Sequence, residues 1–110
     1  MLMNEYETTM VLRPNLTGDG IESMLDKVRD VVGDQGGKLL EVTHWGRKRL
    51  AYDIDKQGRG IYVLANYLGK GPMVSEVERH LRISDVVLRY MTIKRSVGVD
   101  PTARDAVEYE

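Results

Sequence analysis

The sequence has no cysteine and no phenylalanine among its 110 residues, and only three prolines. The lack of cysteine excludes disulfides, thiol catalysis and cysteine-ligated zinc or iron–sulfur sites, and it fits a reducing compartment. No apolar run is long enough to cross a bilayer, and Glu5 and Glu7 stand where a signal peptide would carry basic residues. We therefore expect one globular domain with no membrane partner.

The charges nearly balance but are unevenly distributed along the chain. A net charge of −1 argues against a general polyanion binder. Residues 1–46 carry four Lys/Arg against eight Asp/Glu, residues 47–95 carry eleven against five, and residues 96–110 carry one against four. This pattern is typical of a protein that touches nucleic acid with one surface, and also of one that pairs its own halves electrostatically.

The residues of catalytic and metal sites are nearly absent. His44 and His80 are the only histidines, and no carboxylate stands at ligand spacing from either. Ser84-Asp85 has no base nearby, and the glycines of 18–20 and 58–60 lack the spacing of a dinucleotide or P-loop motif. We expect no catalytic residue, no metal site and no cofactor.

In four stretches the residue types alternate with the two-residue period of a strand, and two other stretches carry apolar residues at helical spacing. In chain order they are strand one (Tyr6–Leu12), a helix from Thr17 to Gly36-Gly37, strand two (Lys38–Ile54), strand three (Ile61–Leu68), a helix from Pro72 to Ser84-Asp85, and strand four (Val86–Lys94). This order predicts an α+β, ferredoxin-like split βαβ fold, with a four-stranded antiparallel sheet carrying both helices on one face.

Two further segments complete this organisation. The polar, glycine-bearing residues 55–60 are predicted to form a hairpin loop, and hydrophobic periodicity ends at Ser96. We expect a ferredoxin-like domain over residues 1–95 and an acidic, mobile tail over residues 96–110. Strand three is apolar on both faces, so we expect it to be central in the sheet or covered by a partner.

A glycine and three consecutive cations stand out in the Trp45–Ile54 stretch. Gly46 indicates a bulge that redirects strand two. Because side chains alternate along a strand, Arg47 and Arg49 share one face and Lys48 takes the other. Leu50, Tyr52 and Ile54 are likewise predicted to face one way. The cations suit a solvated edge strand that blocks edge-to-edge pairing, or a contact site for phosphate or an acidic partner.

The same fold hosts RNA-recognition motifs, which stack bases on aromatic residues of the sheet. Arg59-Gly60-Ile61-Tyr62 begins like such a motif, but Leu64, Asn66 and Leu68 supply no second aromatic on the face of Tyr62. Base stacking of that kind is therefore not supported. Four tyrosines are instead candidates to bury their rings against the helices with the hydroxyl at the rim. They are Tyr6, Tyr52, Tyr67 and Tyr90.

Three stretches taken together resemble the sixth protein of the bacterial small ribosomal subunit. They are Tyr6–Leu16, Trp45–Tyr52 and Glu78–Tyr90. Element order and loop lengths also match, so the resemblance covers about residues 4–95. Asp53 is a departure, because the family usually has proline after the Ala-Tyr pair.

The resemblance implies a structural, non-enzymatic protein of the cytoplasmic ribosome. It would bind the central domain of small-subunit (16S) ribosomal RNA together with ribosomal protein eighteen, as a heterodimer. Six cations are then candidates for contact with RNA or partner, although each also suits a solvated surface residue. They are Arg13, Arg47, Lys48, Arg49, Arg89 and Lys94.

Two other functions remain open from the residues. One is a ferredoxin-like small-molecule-binding or acyl-phosphate-hydrolysing domain, for which Arg13-Pro14-Asn15 is the nearest candidate loop. That segment lacks the glycine-rich amide nest that such chemistry uses. The other is self-association through the open face of the sheet.

Overall fold

A computed structural model describes residues 2–54 and 56–104, and it has the predicted order of elements. The elements are β1 (Met3–Leu12), α1 (Gly18–Asp34), β2 (Lys38–Ile54), β3 (Gln57–Gly69), α2 (Gly71–Ile83), β4 (Val87–Val99) and a 3-10 turn (Pro101–Ala103). The strands form one antiparallel sheet in the order β2-β3-β1-β4. The ferredoxin-like fold and the central position of β3 are therefore confirmed.

One face of this sheet packs against both helices and forms the core. Alternate residues of β1 and β3, among them Met10 and Val63, join Leu25, Val28 and Leu81 of the helices in one buried cluster. We call this face the helix side. The opposite face, which we call the open face, carries the intervening residues of the strands. They are Glu5, Glu7, Thr9 and Val11 of β1, Tyr62, Leu64, Asn66 and Leu68 of β3, and Arg89, Met91 and Ile93 of β4.

Both ends of α1 follow from local chemistry. The Thr17 hydroxyl accepts a hydrogen bond from the Gly20 amide at 3.2 Å, which satisfies one of the free N–H groups of the first turn. After Gln35 the chain leaves the helix through Gly36, whose φ of +76° is accessible to glycine without steric cost. These two predicted boundaries are confirmed.

The predicted hairpin between strands two and three is present, but its predicted bounds of 55–60 were wrong, because β3 already begins at Gln57. Ile54 pairs directly with Gln57, and Lys56 in the turn has a φ of +64°. Asp55 lies outside the described residues. Gly60 belongs to β3, where it pairs with Lys48, and a Cβ at this position would overlap the Val11 side chain. A glycine in a strand can mark such a close approach as well as a turn.

The predicted end of strand four at Lys94 was also wrong. β4 runs on to Val99, and β1 begins correspondingly early, so that Met3 pairs with Val99 and Glu5 with Ser96. Backbone pairing with β1 holds this extension, and it needs no apolar alternation to form. The division into a domain over 1–95 and a tail over 96–110 stays a prediction, and residues 105–110 lie outside the described residues.

Candidate functional site

The bulge predicted at Gly46 is present and sets the direction of the three cations. Gly46 has a φ of +81°, and the pairing of β2 with β3 shifts by one residue between His44 and Gly46. Beyond the bulge, Arg47 pairs with Ile61 of the core, and Lys48 pairs with Gly60. Directly paired residues share a face. Arg47 and Arg49 therefore lie on the helix side, and Lys48 lies on the open face, as the alternation predicted.

Arg47 ties β2 to the loop between β1 and α1. Its Nε donates to the Pro14 carbonyl at 2.8 Å, and its Nη2 donates to the Leu16 carbonyl at 3.1 Å. Arg13, directly after β1, likewise contacts the segment between α2 and β4, where its Nε donates to the Asp85 carbonyl at 2.7 Å. Two of the six candidate cations therefore also hold loops in place. A guanidinium has more N–H donors than these, so this role is compatible with phosphate contact.

Two exposed aromatic rings carry cations over them. Lys48 Nζ lies 5.4 Å from the centroid of Trp45, whose side chain is 50% exposed. The Arg89 guanidinium lies 5.8 Å from the centroid of Tyr52, and its Nη1 donates to the Tyr52 hydroxyl. Such pairs contribute about 0.5–1 kcal/mol each at exposed sites. They place Lys48 and Arg89 beside flat apolar surfaces.

The burial predicted for Tyr52 was wrong, since the residue is 60% exposed. The regular pairing of β2 with β3 is interrupted between Arg49 and Ile54, so the alternation predicted over Leu50–Ile54 has no continuous ladder beneath it. Through its contact with Arg89, Tyr52 of β2 meets β4 at the far edge of the sheet. Of the other three tyrosines, Tyr6 and Tyr67 are buried and Tyr90 packs partly against the core.

A shallow cavity of about 170 Å³ lies beside this contact on the open face. It is lined by Thr9, Val11, Tyr62, Arg89, Tyr90 and Met91. Next to it, Met91 is 59% exposed, and Ile93 is exposed as well. An apolar floor with a cation at its edge can accept a side chain or a flat ring.

The structure does not gather the six candidate cations into one patch. Arg47, Arg49 and Lys94 lie on the helix side, the last because Lys94 pairs with Tyr6 of the core. Lys48 and Arg89 lie on the open face. The aromatic partners of these two cations were not predicted from the sequence. Arg89 meets Tyr52 of a different strand, and Trp45 and Lys48 lie on either side of the bulge at Gly46 within β2.

His44 lies half-buried in β2. Burial lowers the pKa of His44, and the charge of Glu22 acts in the opposite direction. No group of three His, Asp or Glu residues among residues 2–54 and 56–104 could hold a metal ion. None of the described helices is long and apolar enough to span a bilayer.

Comparison with known proteins points to one family. A family model described as Ribosomal protein S6 matches residues 5–94. The chain is 40% identical over 101 residues to small ribosomal subunit protein bS6 of Nitratidesulfovibrio vulgaris, covering 92% of this chain and 100% of that protein. It is 42% identical over 103 residues to the bS6 protein of Synechococcus elongatus, covering 94% of each.

The fold matches a solved structure as well. The crystal structure of 30S ribosomal protein S6 from Thermotoga maritima superposes with a TM-score of 0.78 at 24% sequence identity. The match covers 84% of this chain and 88% of that chain. The shared architecture therefore covers most of this chain.

Proposed function

Because the chain belongs to the ribosomal protein S6 family of the bacterial small ribosomal subunit, we propose that it binds small-subunit ribosomal RNA together with ribosomal protein eighteen. It acts as a structural, non-catalytic component of the cytoplasmic ribosome. The observation that carries this proposal is the family match over residues 5–94, which spans the ferredoxin-like fold.

The charge of the chain supports binding in company with a partner. Binding to RNA draws heavily on phosphate contacts, and each contact makes the affinity more dependent on salt. A chain with a net charge of −1 and dispersed cations makes few such contacts alone. A basic protein partner supplies the remaining positive field, and this chain contributes shape and a small number of cations.

The two sides of the sheet suit different contacts. On the open face, the exposed Met91 and Ile93 offer the apolar centre that protein interfaces use. Along β2, Arg47 and Arg49 point to the helix side, where Arg47 meets the β1–α1 loop and where phosphates can approach. We assign the open face to the protein partner and these β2 cations to the RNA backbone.

A gel-shift assay tests the proposal. A central-domain RNA transcript is titrated with this protein alone, with protein eighteen alone, and with both. We expect tight binding to the RNA only with both proteins present, because the cations of either protein alone make too few phosphate contacts. A shift that needs only one of them, or no shift at low salt, contradicts the cooperative model.

A triple variant then tests the cations. Replacing Arg47, Lys48 and Arg49 with Ala should weaken the complex at least tenfold and reduce the salt slope by about one for each phosphate that the variant no longer neutralises. The matched control replaces three exposed cations away from β2, and it should bind as the unmodified protein does. Its positions are Lys27, Lys70 and Arg82. An equal weakening in both triples would mean that only net charge matters.

A further inference from the structure

One end of the open face is buried although no helix lies over it. Leu68 pairs with Lys38 on one side and with Glu5 on the other, so the three residues form a row across β2, β3 and β1. Leu68 is fully buried, yet it is not part of the cluster beneath the helices. Its cover must therefore come from the open side of the sheet.

The residues on both sides of Leu68 hold the same short segment. Lys38 Nζ donates to the Pro101 carbonyl at 3.1 Å and to the Arg104 carbonyl. Arg104 Nη1 lies 3.0 Å from Glu5 Oε1. Neighbouring strands are about 4.8 Å apart, so these anchors on β2 and β1 are about 10 Å apart, with Leu68 between them. The segment Asp100–Arg104 spans that distance with ease.

Both carboxylate oxygens of Glu5, the residue that holds Arg104, have polar partners. Glu5 is only 8% exposed, and Asn66 Nδ2 donates to its second oxygen at 2.9 Å. The pKa of Glu5 is lowered by this hydrogen bond and further by the charge and hydrogen bonds of Arg104 and Ser96, while burial acts in the opposite direction. A buried carboxylate is stable when it is paired and hydrogen-bonded in this way.

The segment is also ordered by contacts of its own. The Asp100 carboxylate accepts hydrogen bonds from the Thr102 amide at 2.9 Å and from the Thr102 hydroxyl at 2.8 Å. The Ala103 amide donates to the Asp100 carbonyl at 3.0 Å. This turn presents the carbonyls of Pro101 and Arg104 to Lys38.

From these contacts we propose that Asp100–Arg104 is a strap that closes the Leu68 end of the open face. By occupying that end, the strap confines a protein partner to the other end, where Arg89, Met91 and Ile93 lie exposed or half-exposed. The shielding of Leu68 stands independently, whereas the confinement of the partner rests on the proposed function.

Thiol labelling tests the shielding, because the chain has no cysteine of its own. A Leu68→Cys variant should react with a thiol reagent at least 100-fold more slowly than Met91→Cys, whose position on the same face is exposed. Adding Lys38→Met and Arg104→Met should speed the labelling at position 68 at least tenfold.

Two controls keep the labelling interpretable. Adding Lys70→Met and Arg82→Met, which change two exposed cations elsewhere, should leave the labelling rate at position 68 unchanged. Circular dichroism of each variant must match the unmodified protein, so that faster labelling reports opening of the strap. Rapid labelling of Leu68→Cys with the strap residues intact, or slow labelling after both anchors are removed, would overturn the strap.

Binding to protein eighteen tests the confinement. These variants are made in the chain without added cysteine. Lys38→Met together with Arg104→Met should leave the affinity for protein eighteen within about twofold of that of the unmodified chain. Met91→Asp should weaken this affinity at least tenfold. Tighter binding after release of the strap would mean that the strap covers the partner's site, and it would overturn confinement. If the unmodified chain does not bind protein eighteen, the proposed function fails, while the labelling result on the strap still stands.

Discussion

A relay of three hydroxyl groups crosses the sheet inside the core. Thr8 Oγ1 of β1 lies 2.7 Å from the Tyr67 hydroxyl of β3 and 2.8 Å from Thr92 Oγ1 of β4. Thr8 and Tyr67 are fully buried, and burial raises the pKa of Tyr67, opposed by its hydrogen bond with Thr8. Thr8 is therefore the shared partner of two hydroxyls that belong to different strands.

This geometry fixes the relative cost of removing each group. Tyr67→Phe deletes one hydrogen bond and leaves Thr8 bonded to Thr92, so we expect a loss of about 1 kcal/mol. Thr8→Val deletes two hydrogen bonds, and the buried Tyr67 hydroxyl loses Thr8 as its hydrogen-bond partner. Leaving a buried polar group unsatisfied adds about 1–3 kcal/mol to the loss in free energy of unfolding, so we expect Thr8→Val to cost about 2–4 kcal/mol in total. The double variant with both Thr8→Val and Tyr67→Phe should lose less stability than the two single variants added together, because both members of the Thr8–Tyr67 hydrogen bond are then apolar.

Urea unfolding followed by circular dichroism measures these free energies. Thermal unfolding gives a second value, at roughly 4 °C per kcal/mol for a domain of this size. Thr9→Val is the matched control, since the neighbouring side chain faces the open side of the same strand, and it should change stability by less than about 0.5 kcal/mol. If Thr8→Val costs no more than Tyr67→Phe, the relay does not contribute as its geometry indicates.

Three further predictions concern other parts of the fold. Leu81→Ala, at a fully buried position of the core cluster, should reduce the free energy of unfolding by about 2–4 kcal/mol in the same urea assay. Gly69→Ala should cost about 1–3 kcal/mol, because its Cβ would overlap the buried Met73 side chain, whereas Gly71→Ala meets no atom within 4 Å and should cost little. Because the folded-state pKa of Glu5 is depressed, its contribution to stability is complete above its ordinary pKa of 4.5 and is lost as the pH falls through the lower folded value. Glu5→Gln should therefore flatten the loss of stability in acid, and an acid limb identical to that of the unmodified protein would contradict the role of this carboxylate.

Features decided by a residue's own chemistry were predictable from the sequence. α1 begins directly after Thr17, Gly46 carries the bulge of β2, and the cations after it alternate between faces, all as predicted. These features depend on side chains and backbone angles within a few residues. The order of strands and helices followed for the same reason, since apolar periodicity reports which face of each element is buried.

Errors arose where a distant part of the chain replaced a local signal. Gly58 and Gly60 suggested a loop, but both lie in β3, and a Cβ at position 60 would overlap the side chain of Val11 from β1. The polar residues after Lys94 suggested that strand four ends there, but pairing with Met3 and Glu5 extends β4 to Val99. Backbone pairing satisfies N–H and C=O groups whatever the side chains are, so hydrophobic periodicity does not reveal it.

The contacts that shape the candidate site were decided by tertiary structure alone. Arg47 meets the carbonyls of a loop more than thirty positions away, Tyr52 meets Arg89 across the sheet, and Lys38 meets Arg104 across 66 positions. Each of these residues is an ordinary exposed side chain by its local pattern. A long polar side chain can reach any acceptor that the fold brings near it. The sequence therefore established the sheet, the helices and the family, while the folded chain determined which cations hold loops, which lie over aromatic rings, and which end of the open face is closed.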